Sequence, residues 1–140
     1  MIRLFFYLAF LSMITTGCNS FMHGYTQRKS FNYYQLINNN QKSLGNKRLK
    51  YNLAHHRKTE LACFLSTHPK PDFILEFEDE QKREAIRLYY VATDSVFIFR
   101  ECKPNRPLCV TLQEARTITN NEKLVYETLT KGNAKIKLDI

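Results

Sequence analysis

The clearest pattern in the chain is the alternation of apolar and polar side chains between Asp72 and Leu112. Three runs follow one another, separated by a charged stretch (residues 79–83) and by Thr93-Asp94, and a loop with two prolines precedes a fourth. A period of two is typical of strands that bury one face. Short runs separated by polar turns predict an antiparallel meander. Its inward positions include Phe73, Leu75, Phe77, Ile86, Leu88, Tyr90, Val96, Ile98, Val110 and Leu112.

The period changes after Thr119. Thr119-x-x-Glu122 has the spacing of a capping box, in which each side chain bonds to the backbone N–H of the other residue. An apolar stripe follows, and Gly132 stands where a C-terminal glycine cap belongs. These signals predict a helix. Residues 135–140 alternate again and predict a last strand.

Residues 48–66 give a more ambiguous signal. Leu49, Tyr51 and Leu53 alternate as in a strand, and residues 61–65 form a continuous apolar run, as in a buried strand or the end of a helix. We favour strands here. The fold class predicted for the whole is α+β: a small antiparallel β-meander with one or two packed helices, preceded by a signal peptide and a basic tether.

The first residues carry a different signal. Arg3 is followed by an apolar run over residues 4–14, then by Thr15-Thr16-Gly17 and Cys18. The run is too short to span a bilayer, which takes about twenty residues. A basic start, a short apolar run and small residues at its end are typical of a cleavable signal peptide.

The residues Thr16, Gly17 and Cys18 resemble the lipobox of bacterial lipoproteins, although Thr15 stands where an aliphatic residue is usual. The resemblance implies that residues 1–17 are removed and that Cys18 carries the lipid. Asn19 in place of Asp implies retention at the outer membrane, with the domain facing the periplasm or the cell surface. The alternative is an ordinary secretory signal cut near Gly17, which leaves Cys18 free to pair.

The mature chain divides by composition into a polar tether over residues 18–47 and a single domain over residues 48–140. Within the tether, residues 30–37 are rich in Tyr, Phe, Leu and Ile. This stretch predicts either a short strand or helix that docks on the domain, or a partner-binding segment. Docking is the favoured interpretation.

Charge is distributed unevenly. Residues 18–71 hold nine Lys and Arg against the single acid Glu60, whereas residues 72–140 carry a net charge of −1. Such asymmetry indicates a partner or a surface, and an anchored protein lies close to anionic headgroups. A solvated tether is the alternative. The residues predicted to contact an anionic lipid or another envelope protein are Arg28, Lys29, Lys47, Arg48 and Lys50.

Cysteine usage agrees with an oxidising compartment. If Cys18 is acylated, Cys63, Cys102 and Cys109 remain, and at most one bridge can form among three thiols. Cys102 and Cys109 flank the loop with two prolines and are the favoured pair. Cys63 lies in an apolar run, which suits an inert thiol or a bridge partner.

Motifs for chemistry are weak. His55, His56, Cys63 and His68 match no zinc-site spacing, and the acids around residues 76–84 are best explained by a solvated turn. The sequence has no glycine-rich phosphate loop, Gly-x-Ser-x-Gly elbow or His-Glu-x-x-His motif. We expect no cofactor and no metal. The basic, Tyr-rich residues 25–51 could suit single-stranded nucleic acid, but an envelope location disfavours that partner.

The sequence therefore predicts a non-enzymatic binding, assembly or accessory lipoprotein of the outer membrane. The alternative is a small periplasmic cell-wall-active hydrolase. A pocket that unites a histidine with a carboxylate or Cys63 would favour the enzyme, and a basic or apolar face would favour the binding protein.

Overall fold

The computed structural model of the chain describes residues 32–38, 43–104, 108–132 and 135–137. Six strands form one antiparallel sheet in the order β5-β4-β3-β2-β1-β6, and three helices pack against it. The fold class is α+β, as predicted. The elements are β1 (Tyr33–Leu36), α1 (Leu44–His55), α2 (Glu60–Thr67), β2 (Phe73–Glu78), β3 (Glu84–Tyr90), β4 (Ser95–Glu101), β5 (Val110–Thr117), α3 (Asn120–Thr130) and β6 (Lys135–Lys137).

Strands β2 to β5 are the meander predicted from the alternation between residues 72 and 112. Each pairs with the next, so that Ile86 of β3 lies opposite Glu76 of β2 and Phe99 of β4. The charged stretch after β2 is a turn, because the Asp79 side chain accepts hydrogen bonds from two backbone N–H groups within it. A bulge opposite Ile98 and Phe99 interrupts the edge strand β5, a feature that blunts edge-to-edge pairing.

Strand β1 brings residues 33–36 into the interior of the sheet. Tyr34, which is buried, lies opposite Leu75 of β2 and Ile136 of β6. The docking interpretation of this segment is therefore confirmed. The domain boundary expected at residue 47 lies inside the folded unit, because β1 and the first turn of α1 precede it.

Residues 44–67 form two helices, so the strands predicted within residues 48–66 are wrong. Ser43 and Thr59 cap α1 and α2, each accepting a hydrogen bond from the N–H three residues on. Such caps satisfy donors that a helix leaves unpaired at its start. The buried side of α1 is largely polar (Gly45, Asn46, Arg48, Leu49 and Asn52).

The helices cover both faces of the sheet. Leu61 of α2 packs with Ile74, Leu88 and Phe99 on one face. Leu129 of α3 packs with Tyr34, Phe73, Leu75 and Tyr89 on the other. Because both faces are covered, β2 buries consecutive apolar residues, which is typical of a strand in a three-layer arrangement.

The C-terminal elements match the sequence signals. Thr119 and Glu122 form the predicted capping box at the start of α3. Gly132 follows the helix with a φ of 114°, a conformation that favours glycine. The predicted last strand is present as Lys135–Lys137, and residues 138–140 lie outside the described part of the chain.

Candidate docking surface

Helices α1 and α2 form a hairpin that is fixed at its turn. The Thr59 hydroxyl donates to the carbonyl of His56 at 2.7 Å, and its oxygen accepts from the N–H of Ala62 at 3.4 Å. One buried side chain thus closes the end of α1 and caps the start of α2. The edge of the sheet fixes α2 further, because Glu60 accepts from the backbone N–H of Leu112 in β5 at 2.9 Å.

A buried ion pair attaches α1 to the sheet. Arg48 donates two hydrogen bonds of 2.7 Å to the Glu76 carboxylate, and Asn52 donates a third, also of 2.7 Å. The side chains of Arg48 and Glu76 are 3% and 5% exposed. Arg48 therefore does not belong to an exposed anion-binding surface, contrary to the prediction, because its guanidinium is buried and paired with Glu76.

A small acidic cavity lies beside this ion pair, beneath the hairpin. It is lined by His56, Glu76, Glu84 and Glu101, among others. Burial, together with the neighbouring Glu101 and Glu76 carboxylates, raises the pKa of the Glu84 carboxyl above its usual range. The cavity has a volume of about 20 Å³, enough for about one water molecule. It unites a histidine with carboxylates, as the enzyme alternative requires, but it has no room for a glycan or peptide.

The outer side of the hairpin carries a much larger groove of about 660 Å³. Its apolar part is formed by Leu53, Ala54 and Ala62, and Leu53 is 41% exposed. Cys63 lies in the same groove with an exposed, unbridged thiol. An open groove of this kind suits a partner that lies across it better than a small molecule held inside it.

Exposed cations border the groove. Lys50, Arg57 and Lys58 line it, and Lys47 lies one turn before Lys50 on α1. Residues three apart on a helix are neighbours, so these side chains form one surface. No acidic residue occurs in α1. We call this surface the basic hairpin face (Lys47, Lys50, Arg57 and Lys58).

The structure confirms the predicted disulfide between Cys102 and Cys109, whose Cα atoms are 5.5 Å apart. The bridge closes the loop between β4 and β5, and the N–H of Cys102 also donates to the carbonyl of Cys109 at 2.8 Å. It lies away from the basic hairpin face in sequence and stabilises the meander.

The predicted site residues fall into three groups. Lys47 and Lys50 are exposed on α1, and Arg48 is buried. Cys18, Arg28 and Lys29 lie outside the described residues. Arg57 and Lys58 were not predicted as site residues, although the excess charge of residues 18–71 included them.

Two further features concern metals and membranes. Within residues 32–38, 43–104, 108–132 and 135–137, no three or more His, Cys, Asp or Glu side chains are grouped so as to hold a metal ion. No helix in this part of the chain has both the length and the apolar character needed to cross a membrane.

Comparison with known proteins gives no relative: no protein-family model, no curated protein and no solved structure matches the chain.

Proposed function

We propose that this chain is a small lipoprotein of the outer membrane, anchored through Cys18, that acts as a non-enzymatic binding or accessory protein of the envelope. We further propose that the basic hairpin face lies against anionic lipid headgroups. The observation that carries the proposal is this face itself: four exposed cations beside an open, partly apolar groove. Lys47 and Lys50 lie on α1, which has no acidic residue, and Arg57 and Lys58 lie in the turn that follows it.

The path of the chain supports this orientation. Tyr33, the first residue of β1, lies opposite Glu76, whose carboxylate is bound by Arg48 of α1. The chain therefore enters the sheet next to the helix that carries the basic face. An extended chain from Cys18 to Tyr33 spans at most about 50 Å, so a lipid at Cys18 keeps the domain within that distance of the bilayer, with the chain joined on the side of α1.

The number of cations sets the expected strength of the contact between the basic hairpin face and an anionic membrane. A Lys or Arg close to an anionic membrane contributes about 1 kcal/mol, an effect that decays within a Debye length. Four cations can therefore strengthen the contact by two to three orders of magnitude at most, on the order of 4 kcal/mol before screening. Such a contact is too weak to replace an acyl anchor but strong enough to orient an anchored domain.

The test is co-sedimentation of the unacylated chain, carrying Cys18→Ser, with phosphatidylglycerol vesicles and with neutral phosphatidylcholine vesicles. Replacing all four cations of the basic hairpin face by Gln should weaken binding to the anionic vesicles at least about tenfold. Raising the salt to about 0.5 M should have the same effect. The charge-matched comparison sets Lys47→Gln with Lys50→Gln against Lys123→Gln with Lys131→Gln. Each variant removes two positive charges, and Lys123 and Lys131 are exposed and belong to or follow α3, beyond the other face of the sheet.

An equal loss in the two charge-matched variants, or equal binding to anionic and neutral vesicles, would contradict the role of the hairpin. No binding to either kind of vesicle would point to an acidic envelope protein as the partner.

The anchor is tested separately by mass spectrometry of the protein from its own membrane. We expect a mature form that starts at acylated Cys18, and Cys18→Ser should block processing. A mature form starting at Cys18 without lipid would contradict the lipoprotein proposal.

A further inference from the structure

Two arginines lie diagonally on neighbouring strands, on the sheet face opposite the hairpin. Ala85 of β3 lies opposite Phe77 on one side and Arg100 on the other, and Arg87 lies opposite Leu75 and Ile98. Alternate residues of a strand share a face, so Arg87 and Arg100 both project on the face that α3 covers in part. Their side chains are 25% and 28% exposed.

The nearby carboxylates are already occupied by other arginines. Arg116 donates two hydrogen bonds to Glu122 at 2.7 and 2.8 Å, and Tyr89 and Thr119 donate to the same carboxylate. Arg83 donates to Asp79 at 2.9 Å, and Asp79 also accepts from the backbone. Each carboxylate thus has a full set of donors without Arg87 or Arg100.

Arg87 and Arg100 form only longer ion pairs with these two carboxylates among the residues that the structure describes, so the four arginines exceed the two acids in charge. The closest approach of Arg87 to Glu122 is 3.8 Å, and that of Arg100 to Asp79 is 3.4 Å. Among the residues that the structure describes, neither side chain donates a hydrogen bond, and the Nε atoms of both are buried without a partner. A guanidinium has five N–H donors, and such groups are rarely left unpaired at partly buried positions.

We infer that Arg87 and Arg100 form a binding site for a phosphate group. A carboxylate matches one guanidinium fork, whereas a phosphate offers more oxygens and up to two charges, which suit two forks together. Phe77 completes the site, since the Arg87 guanidinium lies 4.8 Å from its ring centroid, an arrangement that holds the side chain in place. This site lies on the opposite side of the sheet from the basic hairpin face and does not depend on the function proposed for it.

The test uses the mature protein in zwitterionic detergent micelles, with inorganic phosphate replacing chloride at constant ionic strength. Phosphate at about ten times its dissociation constant should raise the thermal midpoint, followed by circular dichroism, by about 3 °C or more. Arg87→Gln and Arg100→Gln should each abolish this rise, measured against the same variant in chloride. Lys123→Gln is the control, because Lys123 pairs with Asp94 on the surface, and it should keep the full rise.

A second measurement follows the Nε–H signals of arginine by NMR, and it remains informative if a Gln variant unfolds. Inorganic phosphate should shift the signals of Arg87 and Arg100 and leave those of Arg48 and Arg83 in place. Shifts with phosphatidylglycerol in the micelle but not with inorganic phosphate would identify a headgroup as the source and still support the site. No shift with either, or a thermal rise that persists in both Gln variants, would overturn the inference.

Discussion

At the scale of single residues, two buried glutamates join the helices to the sheet. Glu76 of β2 is bound by Arg48 and Asn52 of α1, and Glu122 of α3 is bound by Arg116 at the end of β5 and by Tyr89 of β3. Burial alone would raise the pKa of Glu122, but the Arg116 guanidinium, the Thr119 N–H and the Tyr89 hydroxyl hold it at about 2. Glu122 is therefore ionised in the folded protein and links α3 to β3 and β5.

The depressed pKa of Glu122 predicts a loss of stability in acid. The usual pKa of a glutamate is 4.5, and that of Glu122 in the folded protein is about 2. The ionised carboxylate therefore contributes its full share to the free energy of unfolding above pH 4.5, and this share is lost as the pH falls towards 2. The shift corresponds to about 3 kcal/mol of unfolding free energy. We expect urea unfolding to show this loss in the native chain and a much smaller one in Glu122→Gln. Parallel losses in the two proteins would contradict the assignment.

Because Arg48 is buried, we expect its substitution to change the stability of the domain but not its binding to vesicles. Arg48→Met leaves the Glu76 charge buried without its ion-pair partner, and breaking a buried pair in this way costs about 3–5 kcal/mol. Adding Glu76→Leu should restore most of the loss, since two apolar residues can replace a buried pair. Urea unfolding measures both effects. The double variant should bind anionic vesicles as the native chain does. Weaker binding would show that Arg48 contributes to the docking surface after all.

At the scale of elements, the sequence predicted most of those whose buried side is apolar. The strands β2 to β5 and the helix α3 were each predicted near their observed positions. Helix α2 also buries apolar residues, but its continuous apolar run at residues 61–65 fits a buried strand as well as a helix and was interpreted as a strand. Helix α1 was missed because it buries Gly45, Asn46, Arg48 and Asn52 and leaves Leu53 41% exposed. Its apolar residues therefore do not mark its inner face, and hydrophobic periodicity cannot detect such a helix.

The candidate site was likewise predicted only in part from the sequence. The charge of residues 18–71 indicated a basic surface, and Lys47 and Lys50 lie on it. The burial of Arg48 could not be foreseen, because its partner Glu76 is distant in sequence and was attributed to a solvated turn. The phosphate site at Arg87 and Arg100 was also missed, since only the strand register places these residues diagonally on one face of neighbouring strands.

The contact between α1 and β1 predicts an unusual effect of a glycine substitution. In most helices Gly→Ala stabilises by up to about 1 kcal/mol. A Cβ at Gly45 would clash with the carbonyl oxygen of Leu36 in β1, which is backbone and cannot move aside easily. We expect Gly45→Ala to destabilise the domain by about 1–3 kcal/mol, as overpacking does.

The measurement for Gly45 is urea unfolding, and Asn120→Ala offers a comparison at an exposed position in the first turn of α3. That substitution should change stability by less than about 0.5 kcal/mol. An unchanged or more stable Gly45→Ala protein would show that β1 can separate from α1, and that residues 33–36 are less firmly part of the domain than the sheet pairing indicates.

At the scale of the whole molecule, we propose that the two sides of the sheet bind different partners. The side with α1 and α2 carries the basic hairpin face and lies next to the start of β1, where the chain from Cys18 enters. The side with α3 carries the Arg87–Arg100 site and faces away from the bilayer in this orientation. The domain would then contact headgroups on one side and present a phosphate site to the aqueous compartment on the other.

The free thiol of Cys63 allows this orientation to be tested with little change to the chain. Cys63 is exposed in the groove of the hairpin, so an environment-sensitive dye on its sulfur should enter the headgroup region when the face docks. The control moves the thiol to the other side of the sheet by Cys63→Ser with Leu124→Cys, since Leu124 is 59% exposed on α3. Both proteins carry Cys18→Ser, which removes the anchor thiol.

On adding anionic vesicles, we expect the dye at position 63 to shift its emission to the blue and to become protected from iodide in the water. The dye at position 124 should stay as accessible as it is in solution. High salt should reverse the change at position 63, because the exposed charges that hold the face to the lipid are screened beyond about 8 Å at physiological ionic strength. Equal protection at both positions would mean that the domain binds without a fixed orientation. Protection at position 124 alone would place the α3 side against the membrane, with the phosphate site of Arg87 and Arg100 as the contact that turns it there.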